Sequence, residues 1–420
     1  MSRELERKAL AVALRKLASA RVVVVNGPRQ SGKSWLLERM AQQVGGSYVS
    51  LDDKANLRTA RTDPAGFVVR AAGPLFIDEV QRGGDPLVLA VKSAVDKNRQ
   101  RGQYVLAGST RFLTEPRLSE SLAGRARFVD LWPLTQGEIE EYSAGDRFVD
   151  SAVEGEEALG ELGARTPGES RRATFERVIR GGYPEVVLDV AADDRADFFA
   201  DYLRAVSQRD ITELSRMTDR VDLPAILRLL AARTSGELNT TDLANDAGLG
   251  RETMRRYLPL VESIFLLHRL PAWSQNLTSR TKLRPKIHMS DTGLAAWLAR
   301  PGMQPSSRPG DPFDGALLES FVVNELTRQL SWSQPGVTMS HWHDKDGREI
   351  DVILEIGANK LVGIEVKAAV DVDENDFRHL TYLRDRRSDH FVAGVVLHCG
   401  DRVRKFGDRL LAMPIGALWT

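Results

Sequence analysis

The spacing of apolar residues changes repeatedly along this chain, and each change predicts an element. Residues 4–19 place Leu10, Leu14 and Leu17 at i, i+4 and i+7, with Arg7, Lys8, Arg15 and Lys16 elsewhere around the wheel, so an amphipathic helix is expected. Val22-Val23-Val24-Val25 is an unbroken apolar run of strand length, as in a strand buried on both faces. Helical spacing returns at Trp35, Leu36, Leu37 and Met40, with charge at Glu38 and Arg39. Three more short apolar runs follow: 47–51, ending in Asp52 and Asp53; 74–77, ending in Asp78 and Glu79; and 103–107, ending in Gly108, Ser109, Thr110 and Arg111. Strands alternating with helical segments predict an α/β domain built on a parallel sheet with both faces covered.

Beyond residue 135 the pattern breaks. Residues 136–170 hold ten acids against two arginines, with Gly and Ala throughout and no clear period, which predicts an acidic linker. Phe198, Phe199, Tyr202, Leu203 and Val206 then form an apolar stripe, preceded by a turn at Gly181-Gly182-Tyr183-Pro184. Residues 172–215 therefore read as helical. Helices at 223–232, from Thr240 and from Arg251, a Gly turn at 248–250 and a strand at 264–270 follow winged-helix order. Residues 216–286 carry 12 Lys/Arg and 7 Asp/Glu. Arg251 and Arg255 share a face of the third helix and Arg256 lies beside them, where they could meet DNA phosphates; protein contact is the competing use.

The last third predicts a helix over 313–330 carrying Glu319, three strands at 338–343, 348–356 and 361–368, a helix at 373–386 and a strand at 391–398. Period two puts Asp351 on one face of its strand and Glu365 with Lys367 on one face of theirs.

Two stretches carry chemistry. Gly27-Pro28-Arg29-Gln30-Ser31-Gly32-Lys33-Ser34 fits G-x-x-x-x-G-K-[ST] between a predicted strand and a predicted helix. Its backbone N–H groups and the helix N-terminus suit phosphate oxygens, Lys33 suits the β- and γ-phosphates of ATP, and Ser34 suits Mg²⁺. Asp78 at a strand end is the second Mg²⁺ candidate and Glu79 the candidate general base. Ser109, with Thr110 as alternative, could sense the γ-phosphate. Arg125 could reach a neighbouring subunit's γ-phosphate, which would require a homo-oligomer. The second constellation is Glu319, Asp351, Glu365 and Lys367. Asp351 and Glu365 could hold a divalent metal and Lys367 could assist a water or a phosphorane. Solvated hairpin acids are the competing reading.

Bulk properties add little. Lys+Arg and Asp+Glu both total 58, so net charge argues neither for nor against a nucleic-acid partner. The single cysteine, Cys399, excludes an internal disulfide. The first eight residues mix charges of both signs, and no apolar run approaches the roughly 18 residues of a membrane span. A cytoplasmic protein is expected.

Taken together, GPRQSGKS at 27–34, LFIDEVQR at 75–82, LAGST at 106–110, SLAGR at 121–125, GGYPEV at 181–186, DTGL at 291–294, EIDVILE at 349–355 and IEVK at 364–367 resemble a family of bacterial and archaeal AAA-superfamily (AAA+) ATPases. Members carry a C-terminal domain of unknown function similar to the PD-(D/E)xK restriction-endonuclease-like fold. With the resemblance, the expected domains are a P-loop AAA+ core over 1–145 and a nuclease-like domain over 276–420; the residues themselves give the acidic linker and a helical lid over 146–215 and a winged-helix domain over 216–275. The resemblance implies ATP and Mg²⁺ as cofactors and an ATP-hydrolysing protein. Our expectation is action on DNA: remodelling, branch migration, or processing of branched or single-stranded DNA. A nucleotide-controlled switch binding protein partners, and an ATP-gated defence or toxin nuclease, are the alternatives.

Overall fold

A computed structural model describes residues 5–69, 73–109, 122–142, 144–214, 222–304, 310–333, 336–357 and 359–420. The chain divides into two compact units, Arg3–Leu134 with Leu260–Leu266, and Thr135–Pro259 with Leu267–Thr420.

The first unit opens with helix α1 (Ala9–Ser19), strand β1 (Val22–Asn26), helix α2 (Lys33–Val44) and β2 (Ser47–Ser50). Helices α3 (Lys54–Thr62) and α4 (Pro64–Val69), β3 (Leu75–Asp78), α5 (Gly84–Lys97), β4 (Tyr104–Gly108) and β5 (Ala126–Asp130) complete it. All ladders are parallel and the order is β2-β3-β4-β1-β5. The period-two rule explains the apolar run of β1. Val22 and Val24 enter one core with Ile77, Leu87 and Leu106, while Val23 and Val25 enter the other with Leu36, Met40 and Phe76. Because β4 lies between β1 and β3, the carboxyl ends of all three strands present their last residues side by side.

The second unit begins where a linker was expected, and that expectation is corrected. Residues 136–165 form α6 (Gln136–Ile139), α7 (Phe148–Glu154) and α8 (Glu156–Arg165). Their acids cap helices: Thr135 and Glu138 form a reciprocal capping box, and Asp146 accepts from Thr135 Oγ1 at 2.6 Å and from the Gly137 N–H at 3.2 Å. Phe148, Val149, Ala152 and Leu159 are buried. The apolar signal was short and interrupted by Gly155, so no period stood out from sequence.

Helices α9 (Arg171–Arg180), α10 (Pro184–Leu188), α11 (Arg195–Leu214), α12 (Leu223–Ala232), α13 (Thr240–Asp246) and α14 (Arg251–Ser263) follow, then β6 (Leu267–Leu270), α15 (Leu277–Arg280), β7 (Lys286–Met289) and α16 (Thr292–Ala299). Strands β6 and β7 pair antiparallel. Finally α17 (Pro312–Leu330), β8 (Val337–His343), β9 (Glu349–Ile356), β10 (Lys360–Lys367), α18 (Arg378–Arg386), β11 (Phe391–His398), β12 (Arg404–Lys405) and β13 (Leu410–Pro414) build a mixed sheet in the order β12-β13-β11-β10-β9-β8. Helix α17 packs on β10, and α18 on β10 and β11. No helix among the described residues is long and apolar enough to cross a membrane.

Candidate functional site

The phosphate-loop sequence joins β1 to α2 as its spacing requires. Gly32 takes φ +89°, a left-handed conformation, and caps α2. Gly27 has no room for a side chain, since a Cβ there would lie 2.3 Å from the Leu131 carbonyl oxygen. Pro28 and Ser31 are buried, Arg29 is half-buried, and Gln30 is exposed with φ +59°. Lys33 is buried and its ammonium donates to the Gly27 carbonyl at 3.1 Å and the Pro28 carbonyl at 2.7 Å, curling the loop around its side chain. The Ser31 hydroxyl is fully buried with no hydrogen-bond partner. A buried orphan hydroxyl, a central ammonium and a helix N-terminus fit a bound phosphate chain.

At the neighbouring strand end, Ser34 Oγ donates to Asp78 Oδ2 at 2.6 Å, and the Tyr48 hydroxyl donates to the same oxygen at 3.1 Å. The other Asp78 oxygen accepts the Glu79 N–H at 2.9 Å. Ser34 and Asp78, named separately from sequence, thus touch, and their oxygens fit a Mg²⁺ ligand pair. Glu79 stands in the left-handed region at φ +51°. Burial raises its carboxyl pKa, with Asp78 adding to the shift and Lys33 opposing it. Gln81 Nε2 donates to Glu79 Oε2 and reaches Ser109 Oγ at 3.4 Å, so one amide bridges the candidate base and the candidate sensor. Thr110 lies outside the described residues.

Arg125 precedes β5 at the amino edge of the sheet, next to Val22, and pairs with Asp96 through two nitrogens at 2.6 and 3.1 Å. A whole strand, about 15 Å at 3.3 Å per residue, separates that edge from the phosphate loop. Arg125 therefore does not serve the loop of its own chain.

Three residues of this region were missed. Arg7 NH1 donates to the Ser31 carbonyl at 2.6 Å and its NH2 to the Trp132 carbonyl at 2.7 Å, tying the chain's start to the loop. Tyr48 and Gln81 complete the Asp78 and Glu79 environments. Arg7 showed only as part of a helix's polar face, and nothing in the linear pattern set it apart.

The second constellation also converges. The β9–β10 ladder ends with Ile364 opposite Val352, leaving Glu365 and Asp351 across from each other. Asp351 Oδ2 accepts the Val366 N–H at 2.9 Å where the ladder would have continued. Glu365 is buried and its Oε1 has no hydrogen-bond partner, with His379 Nδ1 3.8 Å away; Lys367 Nζ stands 3.6 Å from Oε2. Glu319 reaches in from α17. Among these acids lies an unforeseen cation, Lys286 from β7, buried and within 2.8 Å of Glu319, 2.5 Å of Glu349 and 3.5 Å of Asp351. Burial opposes the Lys286 charge, but Glu319, Asp351 and Glu349 outweigh it and raise its pKa. Burial, then the nearby Asp351 charge, raises the pKa of both Glu319 and Glu365. Among the described residues no group of three or more His, Cys, Asp or Glu is placed to hold a metal. Arg251, Arg255 and Arg256 are all exposed on α14, Arg255 with Glu252 at 3.3 Å.

Known proteins match this chain in pieces. Residues 19–140 match the family described as AAA domain, 171–304 a domain of unknown function (DUF8612), and 314–418 another (DUF4143). An uncharacterized protein of Mycobacterium tuberculosis is 26% identical over 86% of this chain and 74% of its own length. One of Methanocaldococcus jannaschii is 21% identical over 75% of this chain and 68% of its own. Among solved structures, the Thermotoga maritima RuvB Holliday junction branch migration motor is 18% identical over 63% of this chain and 88% of that one, with TM-score 0.29. AMPPCP-bound DnaA from Aquifex aeolicus is 14% identical over 61% and 86%, also at TM-score 0.29. At that score the chains do not superpose as wholes.

Proposed function

We propose that the Arg3–Leu134 unit is an AAA+ ATPase core that binds ATP with Mg²⁺ and hydrolyses it, and that the chain uses hydrolysis to act on DNA. One observation carries the reading: Ser34 and Asp78 touch at 2.6 Å beside a Glu79 carboxyl bridged through Gln81 to Ser109. Lys33 would exchange its loop carbonyls for β- and γ-phosphate oxygens. Ser34 and Asp78 would hold Mg²⁺, which neutralises charge on those oxygens when bound. Glu79, made more basic by burial, would take the proton of the attacking water, with Gln81 and Ser109 orienting both groups. Arg125, too far from its own loop, would act on a neighbouring subunit in a homo-oligomer.

For DNA, the helix–helix–helix–hairpin order of α12, α13, α14, β6 and β7 supports a winged helix with Arg251, Arg255 and Arg256 on its exposed face. The α17-β8-β9-β10-α18-β11 order and the meeting of Glu319, Asp351 and Glu365 support a PD-(D/E)xK-like domain, with Asp351 and Glu365 as metal candidates and Lys367 beside them. Lys286 favours a second reading for that domain, in which a resident ammonium occupies the cluster and the fold binds without cutting. A single assay separates the readings. ATP turnover is measured alone and with duplex, single-stranded and four-way DNA. Stimulation by DNA supports the first; turnover indifferent to all three moves the function to a protein-binding switch. Release of cleaved strands that survives Lys33→Ala and disappears in Asp351→Asn would make the C-terminal site a nuclease.

A further inference from the structure

The Thr135–Pro259 and Leu267–Thr420 unit contains a cavity of about 680 Å³ that none of the readings above uses. Its walls come from α9, the start of α11 and α16, and arginines line it. Most are neutralised. Arg177 pairs with Glu140 and Glu169, Arg172 with Glu176 at 3.0 Å, and Arg300 with Asp311. Arg180 and Arg195 are not. Arg180 NH2 donates only to the neutral Gln136 Oε1, at 2.9 Å, and among the described residues Arg195 has no hydrogen bond or ion pair. Both are half-buried, and the Nε of each is a buried donor without an acceptor.

Gln136 does not line the cavity but holds two of its arginines from behind. It is fully buried, its Oε1 accepts from Arg177 and Arg180, and its Nε2 has no partner. Flipping the amide would turn its NH₂ toward two guanidinium groups, so this orientation follows from the neighbours. A ligand in the cavity meets Arg180 and Arg195 through their terminal nitrogens, since the Nε of each is sealed from solvent. Two guanidinium groups with no ion-pair partner among the described residues, and with terminal nitrogens open to the cavity, suit an anion despite the acids nearby. Burial, then Arg177 and Arg195, outweighs the nearby acids and pulls the Arg180 pKa down, as unscreened like charges do.

The backbone that carries Arg180 is held with unusual care. The Asp291 carboxylate accepts the Gly182 N–H at 2.7 Å and the Leu294 N–H at 2.9 Å, and Thr292 Oγ1 donates to the Val178 carbonyl at 2.7 Å. A Cβ on Gly181 would lie 2.3 Å from Asp291 Oδ1, and one on Gly293 2.6 Å from the Arg180 carbonyl oxygen. The GGYP stretch at 181–184 and the DTGL stretch at 291–294 thus form a clasp at the end of α9, where Arg180 leaves the helix.

We propose that this cavity is a binding site for a nucleoside phosphate, separate from the phosphate loop, with the phosphate on Arg180 and Arg195 and the base against Trp297. Trp297 lines the cavity half-buried beside Phe199, their ring centroids 6.1 Å apart, and offers the aromatic face that a base requires. The volume falls in the ordinary range for small-ligand sites. Arginine forks suit phosphate more than a simple halide. Free nucleotide and the 5′-phosphorylated end of a nucleic-acid strand share this chemistry.

The test uses the full chain carrying Lys33→Ala, so that the phosphate loop does not contribute, and titration calorimetry with AMP and separately with a 5′-phosphorylated single-stranded oligonucleotide. Binding of either is expected. Arg195→Gln, at a half-exposed helix start, should weaken it roughly tenfold or more, the loss of a charged hydrogen bond, with the thermal midpoint unchanged. Trp297→Leu should weaken AMP but leave inorganic phosphate where it was. Tighter binding of AMP identifies a free nucleotide as the source; tighter binding of the oligonucleotide identifies a strand end. Absence of binding by both probes in the Lys33→Ala chain, or binding unchanged by Arg195→Gln, overturns the proposal. The Lys33→Ala background keeps this outcome apart from any failure of the ATPase reading.

Discussion

The phosphate-loop region and the C-terminal carboxylate cluster solve opposite electrostatic problems. In the first, a buried ammonium, Lys33, donates to two of the loop's own carbonyls. In the function we propose, those neutral carbonyls yield the ammonium to an incoming phosphate at modest cost. In the second, a buried ammonium, Lys286, is met by Glu319, Glu349 and Asp351 together. That charge is already spent within the protein. The same side chain, buried in both places, is thus our proposed ligand-binding group in one setting and a counter-ion to acids in the other. Around Lys286 the nearest oxygens belong to carboxyl groups, whereas those around Lys33 include two backbone carbonyls.

Substitutions at the two lysines and their acids test this contrast. The largest effect is expected at Glu79. Glu79→Gln keeps the shape and the Gln81 contact but removes the base, so ATP should still bind while turnover falls by ~10²–10³ or more. Lys33→Ala should instead weaken nucleotide binding itself, measured by titration with a non-hydrolysable analogue. Equal turnover in wild type and Glu79→Gln would remove Glu79 from the mechanism. Arg125→Ala should bind ATP and fail to turn it over. Mixing it with Glu79→Gln protein should recover part of the activity, because one subunit then supplies the base and its neighbour the arginine. A lack of recovery, together with a monomer by light scattering in ATP, would end the oligomer reading.

Lys286→Met should leave turnover by the phosphate loop intact but destabilise the C-terminal unit by ~3–5 kcal/mol, since Glu319 and Asp351 then share a buried site without a counter-ion. Urea denaturation measures this, and added Mn²⁺ should recover more stability in the variant than in the wild type. A loss below 1 kcal/mol would mean that Lys286 is not the counter-ion we describe. A smaller effect is expected on α14. Replacing Arg251, Arg255 and Arg256 with Ala should lower DNA affinity and reduce the salt slope by up to ~3, about one counterion per phosphate contact. An unchanged slope would assign this helix to protein contacts.

The pH dependence gives a further test. Glu319 and Glu365 have pKa values raised to about 8 and about 7 in the folded protein. A carboxyl that is easier to protonate when folded contributes stability below its unfolded pKa, and that contribution is lost as pH rises through the folded value. The thermal midpoint of the C-terminal unit should therefore decline between about pH 5 and 8. Glu349, whose pKa is lowered despite burial because Lys286 lies against it, contributes the opposite slope, confined to acid below the ordinary carboxyl range. Glu319→Gln should flatten the neutral decline. A midpoint that rises across that range would show the cluster to be charged throughout.

Contiguity explains which features were legible before the structure. The phosphate loop is one run of residues at one strand–helix junction, so its spacing alone names Gly27, Gly32, Lys33 and Ser34, and the Val22–Val25 run names a strand buried on both faces. Asp78 and Glu79 end another such run. The alternation in 349–356 and 360–367 likewise anticipated the faces of Asp351 and Glu365, because side chains on a strand alternate whatever the tertiary context. The helices at 136–165 were hidden because their acids serve as caps and their apolar residues are few, which looks like linker composition in one dimension.

Other features depend on pairings across long stretches of chain, which no local period encodes. Lys286 meets Glu319, Glu349 and Asp351 only because β7, α17 and β9 pack together. Arg7 reaches the phosphate loop 24 residues on, and Trp132 125 residues on, through side-chain bonds to carbonyls that any residue could supply. Arg180 and Arg195 stand out only once each neighbouring arginine has been matched with its acid. The sequence alone determined where strands and phosphate-binding backbone must lie, because those follow from local sterics and from alternation. Tertiary structure decided which buried charges are paired with which acids, because that depends on distances between elements rather than on spacing along them.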